Sequence, residues 1–224
     1  MSASRPFNIK QGCWLVAVCV MLPLLSACSS ARLVVPGSAN IFGAGHVIPP
    51  APAGGGAGTA PPSYSFSPAS GTEVLTFPSI TGQVVCDRDH FPANGPDGGP
   101  HAGGSTDLWS CAGISGLKNK HATMFLVGVF LDDKEPMDPA PSCLDFNQST
   151  SFAELYPALR QTFFIGDGLT GTGSGELQRF HVPPGATRLF LGFADGWASH
   201  GRPGWYGDNA GSLTVELRLT QERR

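Results

Sequence analysis

The sequence predicts an all-β fold, an antiparallel β-sandwich of about eight short strands. Its 30 Gly and 20 Pro make up more than a fifth of the 224 residues, whereas charged residues account for only 14%. Long solvent-exposed helices need charged faces, so this composition excludes a helical bundle or a coiled coil. The net charge of −3 argues against nucleic acid as a partner. The apolar fraction of 41% is sufficient for a packed core.

Short apolar stretches bounded by turn residues recur along the chain, as expected for sandwich strands. They lie at residues 73–77, 83–85, 122–131, 162–165, 177–182, 187–193 and 212–219. The last stretch alternates, with leucines and a valine on one face. Residues 152–159 are the single helical candidate, and Pro157 keeps this candidate short.

The N-terminus has the features of a bacterial export signal. Arg5 and Lys10 precede an apolar run from Trp14 to Leu25, which at about 12 residues is too short to span a bilayer as a helix. The run ends in Leu-Ser-Ala-Cys28, which resembles a lipobox, whose cysteine is acylated and becomes the new N-terminus. We therefore expect a lipoprotein of the bacterial cell envelope, exported and held to the membrane through Cys28. The alternative is ordinary secretion, with Cys28 as a plain thiol.

The remaining chain divides by composition into a tether and a domain. Residues 28–62 are rich in Gly and Pro and almost uncharged, which predicts a flexible lipid-anchored tether. Residues 63–224 are predicted to form the β-sandwich domain, which is long enough to bury a sizeable core. In an oxidising compartment we expect a Cys86–Cys111 disulfide, although the other two pairings among Cys86, Cys111 and Cys143 stay open.

One loop before the last strand carries an inventory of oxygen ligands. Asp195 ends a strand, and Asp208 and Asn209 lie in the glycine-rich segment that leads into the final strand. Ca²⁺ takes about 6–8 oxygen ligands from carboxylates, amides and backbone carbonyls, so this loop suits it. The alternative is that these side chains only stabilise turns. No motif selects a catalytic set, and we predict no enzymatic activity.

Residues 203–215, Pro-Gly-Trp-Tyr-Gly-Asp-Asn-Ala-Gly-Ser-Leu-Thr-Val, resemble the calcium loop of the LecA/PA-IL-like galactophilic lectins. Segments 177–191 and 75–82 are similar to other strands of that family in the same order, and residues 94–99 fall where it has a second sugar-site loop. The resemblance covers about residues 72–219 and implies a jelly-roll, galactose-binding-like sandwich. A larger group of exported bacterial proteins carries similar strand motifs.

The resemblance implies a ligand set for Ca²⁺ and a sugar site beside it. The metal ligands would be Asp195, Asp208, Asn209 and the backbone carbonyls of Trp205 and of the loop near Cys86. Sugar hydroxyls would complete the coordination. The expected ligand-contacting side chains are Asp97 of the second loop and the aromatic group formed by Trp197, His200, Trp205 and Tyr206. The alternative for the aromatic group is simple packing within the loop.

The sequence departs from the family pattern at the sugar-contacting positions. Gly95 and Gly98 stand where the family has its His and Gln, and residues 196–202 lengthen the calcium loop. We therefore expect a calcium-binding envelope lipoprotein domain whose partner is a glycan or a glycosylated surface. Two alternatives are a structural or adhesive module in which calcium only rigidifies the loop, and a hydrolase whose catalytic residues the sequence does not show.

Overall fold

The computed structural model describes Met1, residues 28–101 and residues 103–222, so the predicted signal segment 1–27 lies outside the described residues except for Met1. The described chain is almost entirely β, which confirms the predicted fold class, but it contains 15 strands because short bridging strands are added to the expected ones. The strands are β1 Cys28–Pro36, β2 Ser63–Ser65, β3 Glu73–Val85, β4 Thr106–Leu108, β5 Leu117–Asn119, β6 Val127–Leu131, β7 Leu144–Asp145, β8 Glu154–Leu155, β9 Thr162–Phe164, β10 Leu169–Gly171, β11 Ser174–Leu177, β12 Arg179–His181, β13 Arg188–Gly192, β14 His200–Gly201 and β15 Ala210–Gln221, and two 3₁₀ turns cover Ile41–Gly43 and Trp197–Ser199.

Two sheets form the sandwich, with phenylalanine side chains between them. One sheet has the order β1-β15-β3-β12-β8 and the other β2-β13-β6-β9. The ring of Phe180, from the first sheet, lies 5.4 Å from that of Phe163 in the second sheet and 5.3 Å from that of Phe77. A third sheet, β14-β4-β5-β7, and the β10–β11 hairpin complete the strand pairing. No helix in the described part of the chain is long and apolar enough to cross a membrane.

The N-terminal segment is part of the sandwich, which corrects the predicted tether at residues 28–62. Strand β1 pairs with β15 along its whole length, from Cys28 opposite Thr220 to Pro36 opposite Ser212. Beyond β1, Ile41 and Phe42 are fully buried in the core. The predicted domain boundary at residue 63 is therefore too late. The prediction failed because the apolar residues of this segment are too few and too scattered to form a recognisable strand pattern without the partner strand.

The helical candidate at residues 152–159 is also not a helix. Glu154 and Leu155 form the short strand β8, which pairs in parallel with Arg179 and Phe180 of β12. The pairing extends the five-stranded sheet at the edge opposite β1. Pairing with a neighbouring strand prevails here over a weak local preference for helix.

Candidate metal centre and ligand cleft

The predicted calcium loop connects the two main sheets at one end of the sandwich. Asp195 follows β13, which belongs to the sheet β2-β13-β6-β9. Asn209 directly precedes β15, which belongs to the five-stranded sheet. Cys86 directly follows β3, the neighbour of β15, whose last residue Val85 pairs with Ala210. Strand pairing thus brings Asp195, Asn209 and Cys86 to the same end of the molecule.

Asp195 is a buried carboxylate that accepts two hydrogen bonds. Only 4% of the residue is exposed. The backbone N–H of Gly196 donates to its Oδ1 at 2.7 Å, and Nδ2 of Asn209 donates to its Oδ2 at 2.9 Å. Burial, with a smaller contribution from the nearby carboxylate of Asp208, raises the pKa of Asp195 to about 7 despite these two bonds. The environment therefore disfavours the ionised carboxylate unless a cation accompanies it.

Two acceptor oxygens beside Asp195 have no hydrogen-bond partner in the part of the chain that the structure describes. The amide of Asn209 is oriented by Nδ2, which also donates to the carbonyl of Gly37 at 3.1 Å. Its Oδ1 is buried and accepts no hydrogen bond from the described residues, and the same is true of Oδ1 of Asp208. Buried polar oxygens are normally hydrogen-bonded, so each of these two groups requires an explanation. A cation bound to both oxygens would explain why neither accepts a hydrogen bond.

The loop is held from outside by residues 53–56, which we call the glycine strap. Four backbone hydrogen bonds join the strap to residues 203–207: Ala53 N to Pro203 O, Trp205 N to Gly54 O, Tyr206 N to Gly56 O, and Gly207 N to Gly55 O, at 2.7–3.3 Å. The indole of Trp205 packs directly on the strap, since a Cβ at Gly55 would lie 2.4 Å from Cε3 of Trp205. The segment predicted to be a tether therefore braces the candidate site.

A cleft of about 370 Å³ opens over this acidic cluster. One wall is formed by Trp197, which is 67% exposed, and Trp205, with ring centroids 4.6 Å apart. Asp87, His90 and Phe91 also line the cleft, together with Cys86, Asp195, Asp208 and the backbone of residues 196–198. The cleft thus combines carboxylates at its base with exposed aromatic surface at its side, which suits a ligand with both hydroxyl groups and an apolar face.

Two of the residues predicted to contact the ligand do not line this cleft. Tyr206 is only 1% exposed, and its Oη accepts a hydrogen bond from Asp195 N at 3.1 Å and donates one to Phe193 O at 3.0 Å. Its ring is therefore a structural support of the loop, and the prediction of a sugar-contacting tyrosine is corrected. His200 is exposed but lies outside the cleft, with Nδ1 donating to Ala198 O and Nε2 3.4 Å from Ser105 Oγ.

Asp97 also lies elsewhere, in a separate cleft that shares no lining residue with the first. Its Oδ1 accepts a hydrogen bond from the backbone N–H of Asp167 at 2.9 Å. The turn at residues 94–99 is held against the backbone of Thr123 and Leu126. Asp97 therefore does not line the cleft of Asp195 and Asp208, which corrects its predicted place in the sugar site beside the metal.

The predicted Cys86–Cys111 disulfide is not formed in the structure. All four described cysteines are free thiols. Cys86 is buried in the core and lines the cleft, and burial raises the pKa of its thiol to about 12, with a smaller contribution from Asp195. Cys111 belongs to a tight turn with Ile114, and its neighbour Ser110 has its Oγ 3.6 Å from the Sγ of Cys143.

Sequence reasoning missed part of the cleft and all of its bracing. Asp87 directly follows the predicted carbonyl ligand at Cys86 and His90 lies four residues after it, so their closeness to Cys86 in the sequence was a usable signal. His90 Nδ1 donates to Asp87 Oδ2 at 2.7 Å. The strap gave no such signal because its contacts are made by glycine backbone, which leaves no side-chain pattern to recognise.

Among the described residues, no cluster of three or more His, Cys, Asp or Glu side chains is arranged to hold a metal ion. A metal at Asp195 and Asp208 would therefore depend on the amide oxygen of Asn209 and on backbone carbonyls as well. Such a mixed, all-oxygen set is typical of Ca²⁺ rather than of zinc. Comparisons of the chain with protein-family models, with curated proteins and with solved structures each found no match.

Proposed function

We propose that this chain is an exported, membrane-anchored protein whose sandwich binds Ca²⁺ at Asp195, Asp208 and Asn209 and, through the bound ion, a carbohydrate. The observation that carries the proposal is a pair of buried oxygens, Oδ1 of Asp208 and Oδ1 of Asn209, which lie beside the buried carboxylate of Asp195 and have no hydrogen-bond partner among residues 28–101 and 103–222. Leaving such acceptors without a partner destabilises a fold by about 1–3 kcal/mol for each group. A cation bound by all three side chains removes this penalty.

The remaining calcium ligands are assigned by the resemblance to the galactophilic lectins. It gives the backbone carbonyls of Trp205 and of the loop near Cys86. Trp205 has a positive φ of 69°, a conformation that non-glycine residues seldom adopt. The strap bonds on both sides of Trp205 hold the backbone in this conformation. Strained backbone of this kind is common at binding sites, where it fixes the direction of a functional group.

The form of the cleft supports carbohydrate as the ligand class. Two neighbouring hydroxyls of a sugar can replace two waters on Ca²⁺ with little loss of coordination energy. The exposed face of Trp197 lies beside Trp205 at the side of the same cleft. An aromatic face can pack against the apolar side of a sugar ring, so metal and indole together match one ligand.

The position of Cys28 agrees with an anchor that leaves this cleft accessible. Cys28 is exposed and begins β1, opposite Thr220 near the end of β15, whereas the candidate metal site adjoins Ala210 at the start of β15. A strand rises by about 3.3 Å per residue, so these two ends of β15 are roughly 33 Å apart. A lipid on Cys28 would therefore hold the folded domain against the membrane with its cleft on the far side.

Thermal unfolding of the exported protein with Ca²⁺ and with EGTA tests the metal site. At a free Ca²⁺ concentration of about 100 times Kd, binding stabilises the native state by about 2.7 kcal/mol. For a domain of this size, we expect Tm to rise by about 5–10 °C. The variant Asp208→Asn should lose most of this rise. Asp89→Asn, a matched change at an exposed residue outside the cleft, should retain it. An equal Tm in Ca²⁺ and EGTA for the unmodified chain would reject calcium binding.

Glycan-array binding separates the carbohydrate proposal from a purely structural role of calcium. We expect binding that is abolished by EGTA and weakened by Trp197→Ala, whose side chain is mostly exposed and can be removed without a large loss of stability. Calcium-dependent Tm with no glycan bound by any form of the protein would instead support the structural or adhesive module.

A further inference from the structure

The cleft around Asp97 is separate from the calcium cleft and has a polar lining of its own. It has a volume of about 320 Å³ and is lined by Asp97, Asn119, His121, Thr150, Phe164 and Thr172, together with Gly98, Gly99, Pro100 and Ala122. We call it the second cleft. Ligand pockets for small molecules have volumes of about 300 Å³ and above, so it can hold a ligand of the size of one sugar residue.

Asn119 places a hydrogen-bond donor without a partner at this cleft. The residue ends β5 and is 1% exposed. Its Oδ1 accepts a hydrogen bond from the backbone N–H of His121 at 2.9 Å, which fixes the orientation of the amide. Its Nδ2 has no hydrogen-bond partner among residues 28–101 and 103–222. A nearly buried amide whose N–H donor lacks a hydrogen-bond partner destabilises an apolar core, but such a group is common in a ligand site.

Asp97 supplies a fixed acceptor in the same cleft. The N–H of Asp167 donates to its Oδ1 at 2.9 Å, and Thr172 lines the same cleft. The Asp97 carboxylate is therefore held in position before any ligand arrives. No lysine or arginine is among the residues that line the cleft, so the lining does not match a phosphate or another anion.

The base of the second cleft is rigid and aromatic. Phe164 is 3% exposed and packs against Phe125 and Phe146, with ring centroids 5.2 and 5.9 Å away. The imidazole of His121 contributes at the side, with its Nε2 3.1 Å from the carbonyl of Asn147. A carboxylate acceptor, an amide donor and hydroxyl groups around an aromatic base are complementary to neighbouring hydroxyls on a neutral sugar ring.

We propose that the second cleft binds one residue of a carbohydrate without calcium, through the carboxylate of Asp97 and the amide of Asn119. The site is distinct from the calcium cleft because the two sets of lining residues do not overlap. A chain with both clefts can engage two positions of one polysaccharide or two separate chains. Engagement at two sites strengthens attachment well beyond the affinity of either site alone.

Saturation-transfer NMR on the exported protein in EGTA tests this proposal. The probes are the methyl glycosides of galactose, glucose, mannose and N-acetylglucosamine. We expect transfer from at least one glycoside in EGTA, with unchanged affinity in Asp208→Asn, which disables only the calcium cleft. Asp97→Asn and Asn119→Asp should each weaken binding about tenfold, because each removes a hydrogen bond to the ligand, one of them to a charged group. Asp107→Asn, on the neighbouring strand β4 and outside the cleft, is the matched control.

His121→Ala provides a variant that does not depend on buried packing, since His121 is exposed. It should weaken binding about threefold while leaving Tm unchanged within about 2 °C. Absence of transfer from all four glycosides in EGTA overturns the proposal, and so does binding that Asp97→Asn leaves intact. Transfer seen only with Ca²⁺ and lost in Asp208→Asn would assign all binding to the first cleft. That result would reject the second cleft and retain the proposed function.

Discussion

Two segments of this chain are similarly rich in glycine, the strap at residues 53–56 and the β10–β11 turn at residues 171–175, but only the strap is packed against other parts of the protein. In the strap, a Cβ at Gly55 would lie 2.4 Å from Cε3 of Trp205, whereas at Gly173, in the turn of the β10–β11 hairpin, a Cβ would meet no atom within 4 Å. Both glycines have positive φ, 59° and 66°. Both positions therefore favour glycine because of their positive φ. Only at Gly55 do tertiary contacts also exclude a side chain.

The largest effect is expected from the apolar residues on the N-terminal side of the strap. Phe42 is fully buried in the core, so Phe42→Ala should lower the free energy of unfolding by about 3–5 kcal/mol. Val47 belongs to the same predicted tether but is 87% exposed, and Val47→Ala should change stability by less than about 0.5 kcal/mol. Urea denaturation measures both variants. A flexible tether would give two equally small changes, and that result would restore the prediction from composition.

The strands of this fold could be predicted from the sequence only where their apolar pattern is local. The strands with apolar alternation or a continuous apolar run, such as β15 and β6, were predicted near their observed positions because their patterns are local. Strand β1 was not predicted, because its inward-facing Ala31, Leu33 and Val35 alternate over too short a stretch among Gly, Pro and Ser. Its strand character comes from pairing with β15, whose residues are 176 to 192 positions further along the sequence, from Pro36 opposite Ser212 to Cys28 opposite Thr220.

The candidate site follows the same rule. Asp195, Asp208 and Asn209 were predicted together because they share one loop between two recognisable strands. Tyr206 was assigned to the ligand because its position in the sequence does not show whether its ring points inward or outward. Asp97 was assigned to the sugar site because the position of its turn depends on hydrogen bonds with Asp167 and Thr123 that no local pattern contains.

A smaller effect is expected from matched glycine substitutions, which test the two segments directly. Gly173→Ala should lower the free energy of unfolding by about 1 kcal/mol, the penalty for a side chain at positive φ. Gly55→Ala carries the same penalty and about 1–3 kcal/mol more, because the new methyl group collides with Trp205. Calcium affinity should fall in Gly55→Ala and stay unchanged in Gly173→Ala, since only the first moves the site loop. Isothermal titration with Ca²⁺ measures this difference, and equal affinities would show that the strap does not position the site.

A pH dependence is expected where the strap and the site loop enclose Asp195. Its pKa is raised to about 7 in the fold, above the ordinary value of about 3.9 in the unfolded chain. The folded protein therefore binds more protons than the unfolded chain between about pH 4 and pH 7. In EGTA, the contribution of Asp195 to stability is fully present below about pH 4 and is lost as the pH rises towards 7, with a slope of at most about 1.4 kcal/mol per pH unit.

Comparison with Asp195→Asn isolates this contribution from those of the other carboxylates. The difference in unfolding free energy between the unmodified chain and Asp195→Asn should shift steadily over this pH range in EGTA. In Ca²⁺ the loss with rising pH should disappear, because the metal holds the carboxylate ionised. Gly55→Ala should reduce the slope by admitting water to Asp195, whereas Gly173→Ala should leave it unchanged. A pH-independent difference in EGTA would mean that water already reaches Asp195, and that the strap braces the loop without enclosing the carboxylate.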